Sequence, residues 1–319
     1  MLSRALPVLW EKDRCPLPSL QTPAGTLPAA ALDAFATQLA SSGALLLRGF
    51  EVTSSEALAD AVDALGGKPM PYVEGNSPRT KLDAGGVYTS TEHPPEAFIS
   101  LHNELSYSAS WPNRLYFCCV TPAQTGGHTL LASSAAVLAD LDPAVREAFE
   151  TRGVLYIRNL HGGRGMALGP SWQDTFETTD RAIVEACCAQ RKIEFEWRSD
   201  GTLRLLTRRA ASAVHPLTGQ RVWFNQADQF HPSTNSADVY EALVEVFGDD
   251  PSGFPQHACF GDGGAIPSAT LDHVREVTER HTRRFDWQRG DCLVIDNMLV
   301  SHGRSPFTGE RKVLVAMSL

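Results

Sequence analysis

Residues 290–312 read GDCLVIDNMLVSHGRSPFTGERK, and this stretch predicts the last strands of a β-sheet. Residues 292–296 form a continuous apolar run of strand length that leads to His302. The chain closes with residues 311–317, RKVLVAM. Because successive side chains of a strand point to opposite faces, Arg311 shares its face with three apolar residues and Lys312 lies on the other face. The stretch therefore predicts a final hairpin in which only one of these two basic residues faces the interior.

The rest of the chain mixes strands with helices. Apolar runs predict strands at 44–50, 114–122, 128–133, 153–158 and 221–225, and a hairpin of 194–197 with 202–207. Helical spacing predicts helices at 28–42, 54–65, 135–152 with a break near Asp142-Pro143, 172–192, 238–247 and 268–283. Residues 68–112 are rich in Pro, Gly, Ser and Thr, which predicts an active-site loop or lid. Since no repeat or linker divides the chain, we expect one α+β domain over residues 1–319, a β-core with helical insertions.

The composition narrows the kind of partner. The 319 residues carry a formal net charge of −9, so the attraction that drives binding to nucleic acids or anionic membranes is missing. No apolar run is long enough to span a bilayer, and the N-terminal residues do not resemble a secretory leader. The seven cysteines form no C-x-x-C pair, which indicates reduced thiols. We therefore expect a cytoplasmic protein with a small-molecule substrate and neither a nucleic-acid nor a membrane partner.

The common nucleotide-binding, hydrolase and zinc-protease motifs are missing from the sequence. What remains is His102-Asn103-Glu104, with His302 far along the chain. On a strand, His102 and Glu104 point to one face and Asn103 to the other. A second histidine completes a 2-His-1-carboxylate set with open coordination positions, as non-haem Fe(II) oxygenases require. An H-x-[DE] triplet alone is common by chance, so the alternative is a surface or core histidine beside a glutamate.

Seven segments, read together and in order, add a family resemblance. They are YVEGNSPRT at 72–80, SLHNELSYSASWP at 100–112, GGHT at 126–129, VWFNQ at 222–226, FGDG at 260–263, WQRGD at 287–291 and the C-terminal stretch 290–312. The combination resembles the Fe(II)/2-oxoglutarate oxygenases of the taurine dioxygenase superfamily, in particular its clavaminate-synthase-like branch with the syringomycin-type aspartyl hydroxylases. This resemblance implies a double-stranded β-helix, or jelly-roll, core.

The resemblance also implies roles for particular residues. His102, Glu104 and His302 are expected to be the iron ligands. A glutamate at position 104 is typical of this branch, where the wider superfamily carries an aspartate. Thr129 and Arg311 are expected to bind the distal carboxylate of 2-oxoglutarate, since a planar guanidinium fork suits a carboxylate. Lys312 and Arg304 are the rivals of Arg311 for this role.

Predictions for the substrate are less direct. Arg79 is a candidate for a substrate carboxylate, or else for a structural role in its loop, and Asn76 and Asn225 are candidates for reaching the same pocket. The taurine enzymes carry a second arginine where this chain has Val315 or Ala316, so taurine is not the expected substrate. Asp296-Asn297 either orients His302 or forms a plain turn.

The implied function is oxidation, most simply hydroxylation, of an unactivated C–H bond with Fe(II), 2-oxoglutarate and O2, releasing succinate and CO2. The implied substrate is an amino acid or an amino-acid-derived metabolite, free or tethered to a carrier protein that docks near residues 68–112. Two alternatives stay open. A zinc-dependent hydrolase can use the same two histidines and glutamate, and a non-catalytic jelly-roll binding protein would keep only the fold.

Overall fold

The computed structural model describes residues 5–319 except 24, 26, 76–78, 83–85 and 164–167. Over these residues the strands are β1 Val8–Glu11, β2 Ala44–Arg48, β3 Lys81–Leu82, β4 Val87–Thr89, β5 Ile99–His102, β6 Arg114–Thr121, β7 Thr125–Gly126, β8 Thr129–Ser133, β9 Val154–Leu160, β10 Glu194–Trp197, β11 Leu203–Arg209, β12 Ser212–Val214, β13 Arg221–Trp223, β14 Gln256–Phe260, β15 Arg283–Arg284, β16 Cys292–Asp296, β17 Val300–Arg304, β18 Phe307–Thr308 and β19 Lys312–Ser318. The α-helices are α1 Ala29–Ser42, α2 Ser55–Ala64, α3 Ser134–Asp140, α4 Pro143–Arg152, α5 Trp172–Phe176, α6 Arg181–Arg191, α7 Ala227–Phe230, α8 Ala237–Phe247 and α9 Ser268–His281.

The larger of two facing sheets has the strand order β1-β2-β16-β6-β19-β4-β3. Successive side chains of its strands point to opposite faces, and an apolar layer covers each face. Phe117 of β6 and Val315 of β19 belong to the central core, whereas their neighbours Tyr116 and Leu314 belong to the layer on the opposite side. The final strand β19 therefore lies inside the sheet and presents alternate residues to two different cores.

The smaller facing sheet has the order β15-β8-β17-β5. Leu131 of β8 and Val300 of β17 share the central core with the larger sheet. In this sheet His302 pairs with His102 of β5 on one side and with Leu131 on the other. Two sheets that face each other across one core form the predicted jelly roll, and the register of the smaller sheet places two histidines side by side.

Helices and a third sheet cover the outside. Helices α1 and α2 pack on the outer face of the larger sheet through Phe35 and Leu58, which are fully buried; burial of such a side chain contributes roughly 1.5–3 kcal/mol. The third sheet, β10-β11-β9-β14, packs against α6 on one face. Tyr156 of β9, on the same face as Leu160 of that layer, joins the central core, whereas Leu155 and Ile157 lie on the opposite face. This third layer lies beside the jelly roll and supports the loops near the histidines.

Most predicted elements are present with shifted ends. The α+β jelly-roll prediction is confirmed, as are the hairpin of β10 with β11 and the break before α4, where Asp142 caps the helix through the N–H of Ala144. The predicted helix 172–192 is two helices, because Glu177 has a left-handed backbone (φ 50°) and Asp180 caps α6. The predicted strand 221–225 ends at Trp223.

The predicted loop region 68–112 contains three short strands. Strands β3 and β4 extend the larger sheet, and β5 forms an edge of the smaller one. Pairing of β4 with β19 ties the segment to the centre of the fold. The segment therefore forms part of the wall around the histidines.

Candidate active site

A small cavity of about 40 Å³ lies between the facing sheets and is lined by residues from both. The His102 and His302 rings meet there with centroids 4.4 Å apart. Oε2 of Glu104 is 3.9 Å from Nε2 of His102. One ligand atom from each of the three residues lies within 4.8 Å of the other two, and all three residues are buried. The fold thus brings together three side chains that are widely separated in the sequence.

Glu104 reaches this position by a route that differs from the predicted one. Strand β5 ends at His102, so Glu104 is not on the strand. The chain turns here, and Leu105 has a left-handed backbone with φ 55°. Asn103 does point away from Glu104, since its amide donates to Ser134 Oγ at 3.1 Å and to the Asn297 carbonyl at 2.6 Å.

Asn297 holds Glu104 in place. Its Oδ1 accepts the N–H of Glu104 at 2.7 Å, and its Nδ2 donates to the Glu104 carbonyl at 2.9 Å. Asp296 instead faces His215, at 3.0 Å. Of the two alternatives for Asp296-Asn297, orientation of His302 is therefore wrong and the turn is present, since Asp296 Oδ1 accepts the N–H groups of Met298 and Leu299, both at 3.1 Å. Asn297 thus steadies Glu104 and Asp296 contacts His215, at separations of 193 and 81 residues, which local sequence does not reveal.

The nearest hydrogen-bonding group to Nδ1 of His102 is the Ser100 carbonyl at 2.9 Å, and Nε2 of Gln229 lies 3.1 Å from the same nitrogen. Because the carbonyl can only accept, this shorter contact favours a proton on Nδ1 and a lone pair on Nε2. His302 differs, because its Nδ1 is buried with no hydrogen-bond partner among the described residues. A buried ring nitrogen without a partner is rare in proteins and calls for a ligand.

Burial also keeps both histidines neutral. Desolvation lowers the pKa of His302 well below the ordinary 6.5, and the positive charge of Arg79 acts in the same direction, as would a proton on His102. Desolvation likewise lowers the pKa of His102, although the Glu104 carboxylate opposes it. Neutral imidazoles are the metal-binding form. Two neutral imidazoles and a carboxylate are a donor set that fits Fe(II) or Zn(II).

Arg79 enters the cavity wall from the loop that follows residues 76–78. Its Nη2 is 2.5 Å from Oε2 of Glu104, and both side chains are almost fully buried. Its guanidinium also lies 4.5 Å from the centre of the Tyr72 ring. Nε and Nη1 of Arg79 are buried without a hydrogen-bond partner in the described part of the chain. Two buried N–H donors that lack an acceptor are costly, at about 1–3 kcal/mol each, and would suit an anion.

Thr129 lies at the start of β8 and lines the same cavity. Its Oγ1 accepts a hydrogen bond from Nε1 of Trp287 at 3.1 Å. Because the hydroxyl oxygen accepts this bond, its own hydrogen is free to point to another acceptor. Trp287 belongs to the WQRGD segment, but nothing in its sequence position indicated this contact.

Arg311 immediately precedes β19 and reaches the cavity, whereas Lys312 is exposed. Its Nε donates to the Gly127 carbonyl at 3.0 Å. Gly127 has φ 65°, and a Cβ there would lie 2.9 Å from Cδ of Arg311, so the glycine makes room for the arginine. Desolvation and the charge of Arg304 lower the pKa of Arg311 to about 10, which leaves it charged at neutral pH. Arg311 is therefore the basic residue that faces the interior.

Arg304, the other rival, has a different set of contacts. Its guanidinium donates to the carbonyls of His93, Pro94 and Ala97 at 3.2, 2.6 and 2.8 Å. It thereby fastens the loop before β5 to β17. Only its Nε, which is buried, has no partner among the described residues. Arg304 thus adds a second positive charge beside Arg311 while it secures the loop.

Of the two predicted asparagines, Asn76 lies outside the described residues. Asn225 is bound to backbone, since its Nδ2 donates to the Ala211 carbonyl at 2.8 Å and its Oδ1 accepts the N–H of Ala227 at 3.0 Å. It faces a different cavity of about 770 Å³ behind the smaller sheet. Contact of either asparagine with substrate stays a prediction.

Comparison with known proteins identifies the family of this chain. Residues 10–317 match the taurine catabolism dioxygenase TauD, TfdA family. The chain is 38% identical over 279 residues to the dapdiamide synthesis protein DdaC of Enterobacter agglomerans, covering 88% of this chain and 83% of that protein. It is 31% identical over 284 residues to a clavaminate synthase-like protein of Arabidopsis thaliana, covering 86% and 81%.

The fold is also that of solved structures. PvcB of Pseudomonas aeruginosa aligns with a TM-score of 0.53 and 18% identity, covering 98% of this chain and 84% of that one. No helix in the described ranges has the length and apolar character needed to cross a bilayer. The family supports the predicted oxygenase over the zinc hydrolase and the binding protein. The chain belongs to the taurine catabolism dioxygenase TauD, TfdA family and is an Fe(II)- and 2-oxoglutarate-dependent oxygenase.

Proposed function

We propose that His102, Glu104 and His302 hold the Fe(II) of this oxygenase. The observation that carries the proposal is their buried convergence, with ligand atoms within 4.8 Å of one another, at a cavity that His102 and His302 line together with Arg311. When bound, Fe(II) with 2-oxoglutarate and O2 supplies oxidation of an unactivated C–H bond, with release of succinate and CO2. The protein residues then bind, aim and shield the reacting groups from water.

In this proposal Thr129 and Arg311 bind the distal carboxylate of 2-oxoglutarate. Thr129 has a hydroxyl hydrogen to donate, because its oxygen accepts from Trp287. The two Nη groups of Arg311 have no hydrogen-bond partner in the described residues, while its Nε is fixed by Gly127. A carboxylate that accepts from both Nη groups would form the charge-assisted pair that a guanidinium favours.

The charges around the cavity favour an anionic substrate. Arg79, Arg304 and Arg311 line it, and Glu104 beside them is the carboxylate that opposes them. Fe(II) adds two positive charges, and 2-oxoglutarate brings only two negative ones. Excess positive charge in a buried site is unfavourable unless another anion enters. We assign that anion to a substrate carboxylate bound by Nε and Nη1 of Arg79, which have no hydrogen-bond partner among the described residues.

The substrate class we propose is an amino acid or an amino-acid-derived metabolite, hydroxylated at the carbon nearest the iron. One relative is named for the synthesis of dapdiamide, which supports a role in specialised metabolism. The free carboxylate required by Arg79 favours a free amino acid, or a carrier-tethered one that keeps a second carboxylate. Val315 and Ala316 are buried apolar residues and offer nothing to a sulfonate, so taurine is not proposed.

We further propose that the whole chain acts as one domain in the cytoplasm. Strand β1 pairs with β2 in the sheet that also holds β19, so the two ends of the described chain share one sheet. The seven free cysteines suit a reducing compartment. A carrier protein, if one presents the substrate, would approach the 68–112 segment that bears Arg79.

The test measures product from paired substrates. Purified enzyme with Fe(II), 2-oxoglutarate and O2 is given amino acids with a free carboxylate, the same amino acids as amides, and the same amino acids as carrier-protein thioesters. We expect succinate formation and gain of one oxygen atom with substrates that keep a free carboxylate. We expect neither with the amides.

Arg79→Lys and Arg79→Gln serve as matched variants. Both should bind 2-oxoglutarate in the presence of Fe(II) as the wild type does, whereas only the lysine variant should keep part of the turnover. Equal turnover of acids and amides, or full activity of Arg79→Gln, would contradict the assignment of the carboxylate to Arg79. Failure to oxidise any amino acid, with another class of molecule oxidised instead, would contradict the substrate class.

A further inference from the structure

We propose that Glu74 is a positioning residue that fixes Arg79 against Glu104 and thereby sets the place of the substrate carboxylate. Glu74 belongs to the YVEGNSPRT segment at 72–80, in which the sequence suggests a role for only Asn76 and Arg79. The inference rests on the proposed binding of a substrate carboxylate by Arg79, and it adds the residue that determines where this arginine stands.

The side chain of Glu74 joins its segment to the one that follows Glu104. Glu74 is only 3% exposed. Its Oε2 accepts a hydrogen bond from Ser108 Oγ at 2.7 Å and another from Nη1 of Arg191 at the end of α6. A buried carboxylate is tolerated when it is paired and hydrogen-bonded in this way. Because Ser108 follows Glu104 by four residues, the contact ties the 72–80 segment to a proposed iron ligand.

The backbone of Glu74 is held as well. Its carbonyl accepts from the hydroxyl of Tyr107 at 2.6 Å and from Nη1 of Arg158 at 3.0 Å. Its N–H donates to the carbonyl of Thr175 in α5 at 2.9 Å. The φ of Glu74 is 68°, in the left-handed region that residues other than glycine rarely adopt. Such a conformation persists where the surrounding contacts impose it.

Gly75 passes this fixed position on to Arg79 through the ring of Tyr72. Nη2 of Arg158 donates to the Gly75 carbonyl at 3.2 Å. Gly75 lies so close to Tyr72 that a Cβ on it would be 2.0 Å from Cε1 of the ring. The guanidinium of Arg79 lies 4.5 Å from the centre of the same ring, within the range of a cation–π contact. The Tyr72 ring therefore touches both the anchored Gly75 and Arg79.

The ion pair of Arg79 with Glu104 closes the circuit. Nη2 of Arg79 is 2.5 Å from Oε2 of Glu104, and residues 105–108 lead from Glu104 to Ser108 and so back to Glu74. Glu74 thus connects the two members of the ion pair by a second path. Loss of this path should leave Arg79 charged but free to turn Nε and Nη1 away from the substrate, and a displacement of about 1 Å is enough to impair an oriented contact.

The test compares Glu74→Ala with a matched variant of another glutamate. Glu150 of α4 is the control, because its Oε1 also accepts from a serine hydroxyl and from Nη1 of an arginine, those of Ser212 and Arg221, both at 3.1 Å. Phenylglyoxal, which modifies accessible guanidinium groups, is added to metal-free protein, and mass spectrometry locates the modified arginines. Arg311, which lines the same cavity as Arg79, is the internal reference.

In Glu74→Ala we expect Arg79 to be modified at least roughly tenfold faster than in the wild type, with Arg311 unchanged. Glu74→Gln keeps an acceptor for Ser108 but not the charge that faces Arg191, so its Arg79 should react at an intermediate rate. Glu150→Ala should match the wild type. An Arg79 that stays protected in Glu74→Ala would overturn the proposal. So would an equal gain for Arg79 and Arg311, since that indicates a general opening of the fold.

Turnover supplies the second readout. With an amino acid that the wild type oxidises, KM should rise roughly tenfold in Glu74→Ala, while 2-oxoglutarate should bind the Fe(II)-loaded enzyme as in the wild type. A lower kcat with unchanged KM would contradict the proposal. If Glu74→Ala fails to fold, Glu74→Gln and Tyr107→Phe carry the same comparison. If the wild type oxidises no amino acid, the proposed substrate class fails, while the modification of Arg79 still decides the role of Glu74.

Discussion

The two cavities on either side of the smaller sheet differ in size and in chemistry. The cavity between the facing sheets measures about 40 Å³ and holds the His102, Glu104 and His302 group with three arginines around it. The cavity behind the sheet measures about 770 Å³ and is lined mainly by neutral and apolar side chains, together with Asp228 of α7 and four charged residues of α9. The same two strands separate them.

Strand alternation explains this contrast. On β17, His302 faces the small cavity and its neighbour Ser301 faces the large one. At the end of β5, His102 likewise faces the small cavity and Asn103 the large one. The smaller space holds the buried ligands, the unpartnered donors and the histidines with lowered pKa. Convergence of such groups, rather than volume, identifies the site.

Removal of a metal ligand should have the largest effect. We expect His302→Ala to lose Co(II) binding in a calorimetric titration, because two remaining ligands do not hold a divalent ion in this site. His257→Ala is the control, since His257 also lies beside another histidine, with ring centroids 6.1 Å apart. Co(II) binding of wild-type strength in His302→Ala would show that the metal lies elsewhere.

Loss of the cavity arginine should come next. Arg311→Met removes one side of a buried charge pair, which costs about 2 kcal/mol or more, so 2-oxoglutarate should bind at least roughly 30-fold more weakly to the Fe(II)-loaded enzyme. Lys312→Met, one residue along and on the exposed face, should bind it normally. If the two variants exchanged these results, the assigned faces of the final strand would be wrong.

A substitution at Gly127 should act through Arg311. Gly127→Ala places a methyl group 2.9 Å from Cδ of Arg311, and we expect roughly tenfold weaker 2-oxoglutarate binding. Gly219→Ala is the control, because Gly219 also has positive φ (70°) but nothing within 4 Å of its Cβ position. Both variants should lose stability from backbone strain, about 1 kcal/mol or more. Only the first should lose affinity, and an equal loss in both would contradict the direct contact.

The pH dependence of metal binding should be small. Because burial lowers the pKa of His102 and His302, both stay neutral as pH falls through 6.5, and Co(II) affinity should change little between pH 7.5 and pH 6. Stability of the metal-free protein should fall over the same range, since the unfolded chain takes up protons that the folded chain refuses. Two histidines with the usual pKa of about 6.5 would each weaken metal binding roughly tenfold for every pH unit below 6.5. Calorimetric titration with Co(II) at several pH values distinguishes the two outcomes.

The smallest effect is expected in the large cavity. Val274→Phe fills part of it from α9 and should leave Fe(II) and 2-oxoglutarate affinities unchanged. Val313→Phe places the same ring in the small cavity and should block 2-oxoglutarate. Circular dichroism checks that both variants fold. Blockage by Val274→Phe would show that the large cavity belongs to the active site.

The comparison also separates what could be predicted from sequence from what could not. Apolar runs and alternation predicted most of the strands of five residues or more, and alternation predicted that only one of Arg311 and Lys312 faces the interior. The three proposed ligands were found through the resemblance of several segments together, because an H-x-[DE] triplet is too common by itself. The end of β5 at His102 was missed, since the turn at Leu105 depends on contacts with Asn297.

The supporting residues were the least predictable. Trp287 on Thr129, Asn297 on Glu104 and Arg191 on Glu74 each join segments more than one hundred residues apart in the chain. Such contacts depend on the register of several strands at once, which local patterns do not specify. The sequence suggested Arg304 only as an alternative to Arg311 for binding 2-oxoglutarate. In the structure its guanidinium donates to three backbone carbonyls and so holds the loop before β5.

The most direct test of the account is an anaerobic titration of metal-free protein with Fe(II) and then 2-oxoglutarate, followed by visible absorption. The account predicts a weak charge-transfer band that requires both additions, is absent in His302→Ala and needs a higher 2-oxoglutarate concentration in Arg311→Met. A protein that shows no such band, retains zinc and is indifferent to 2-oxoglutarate would contradict the assignment of the small cavity as the iron and 2-oxoglutarate site.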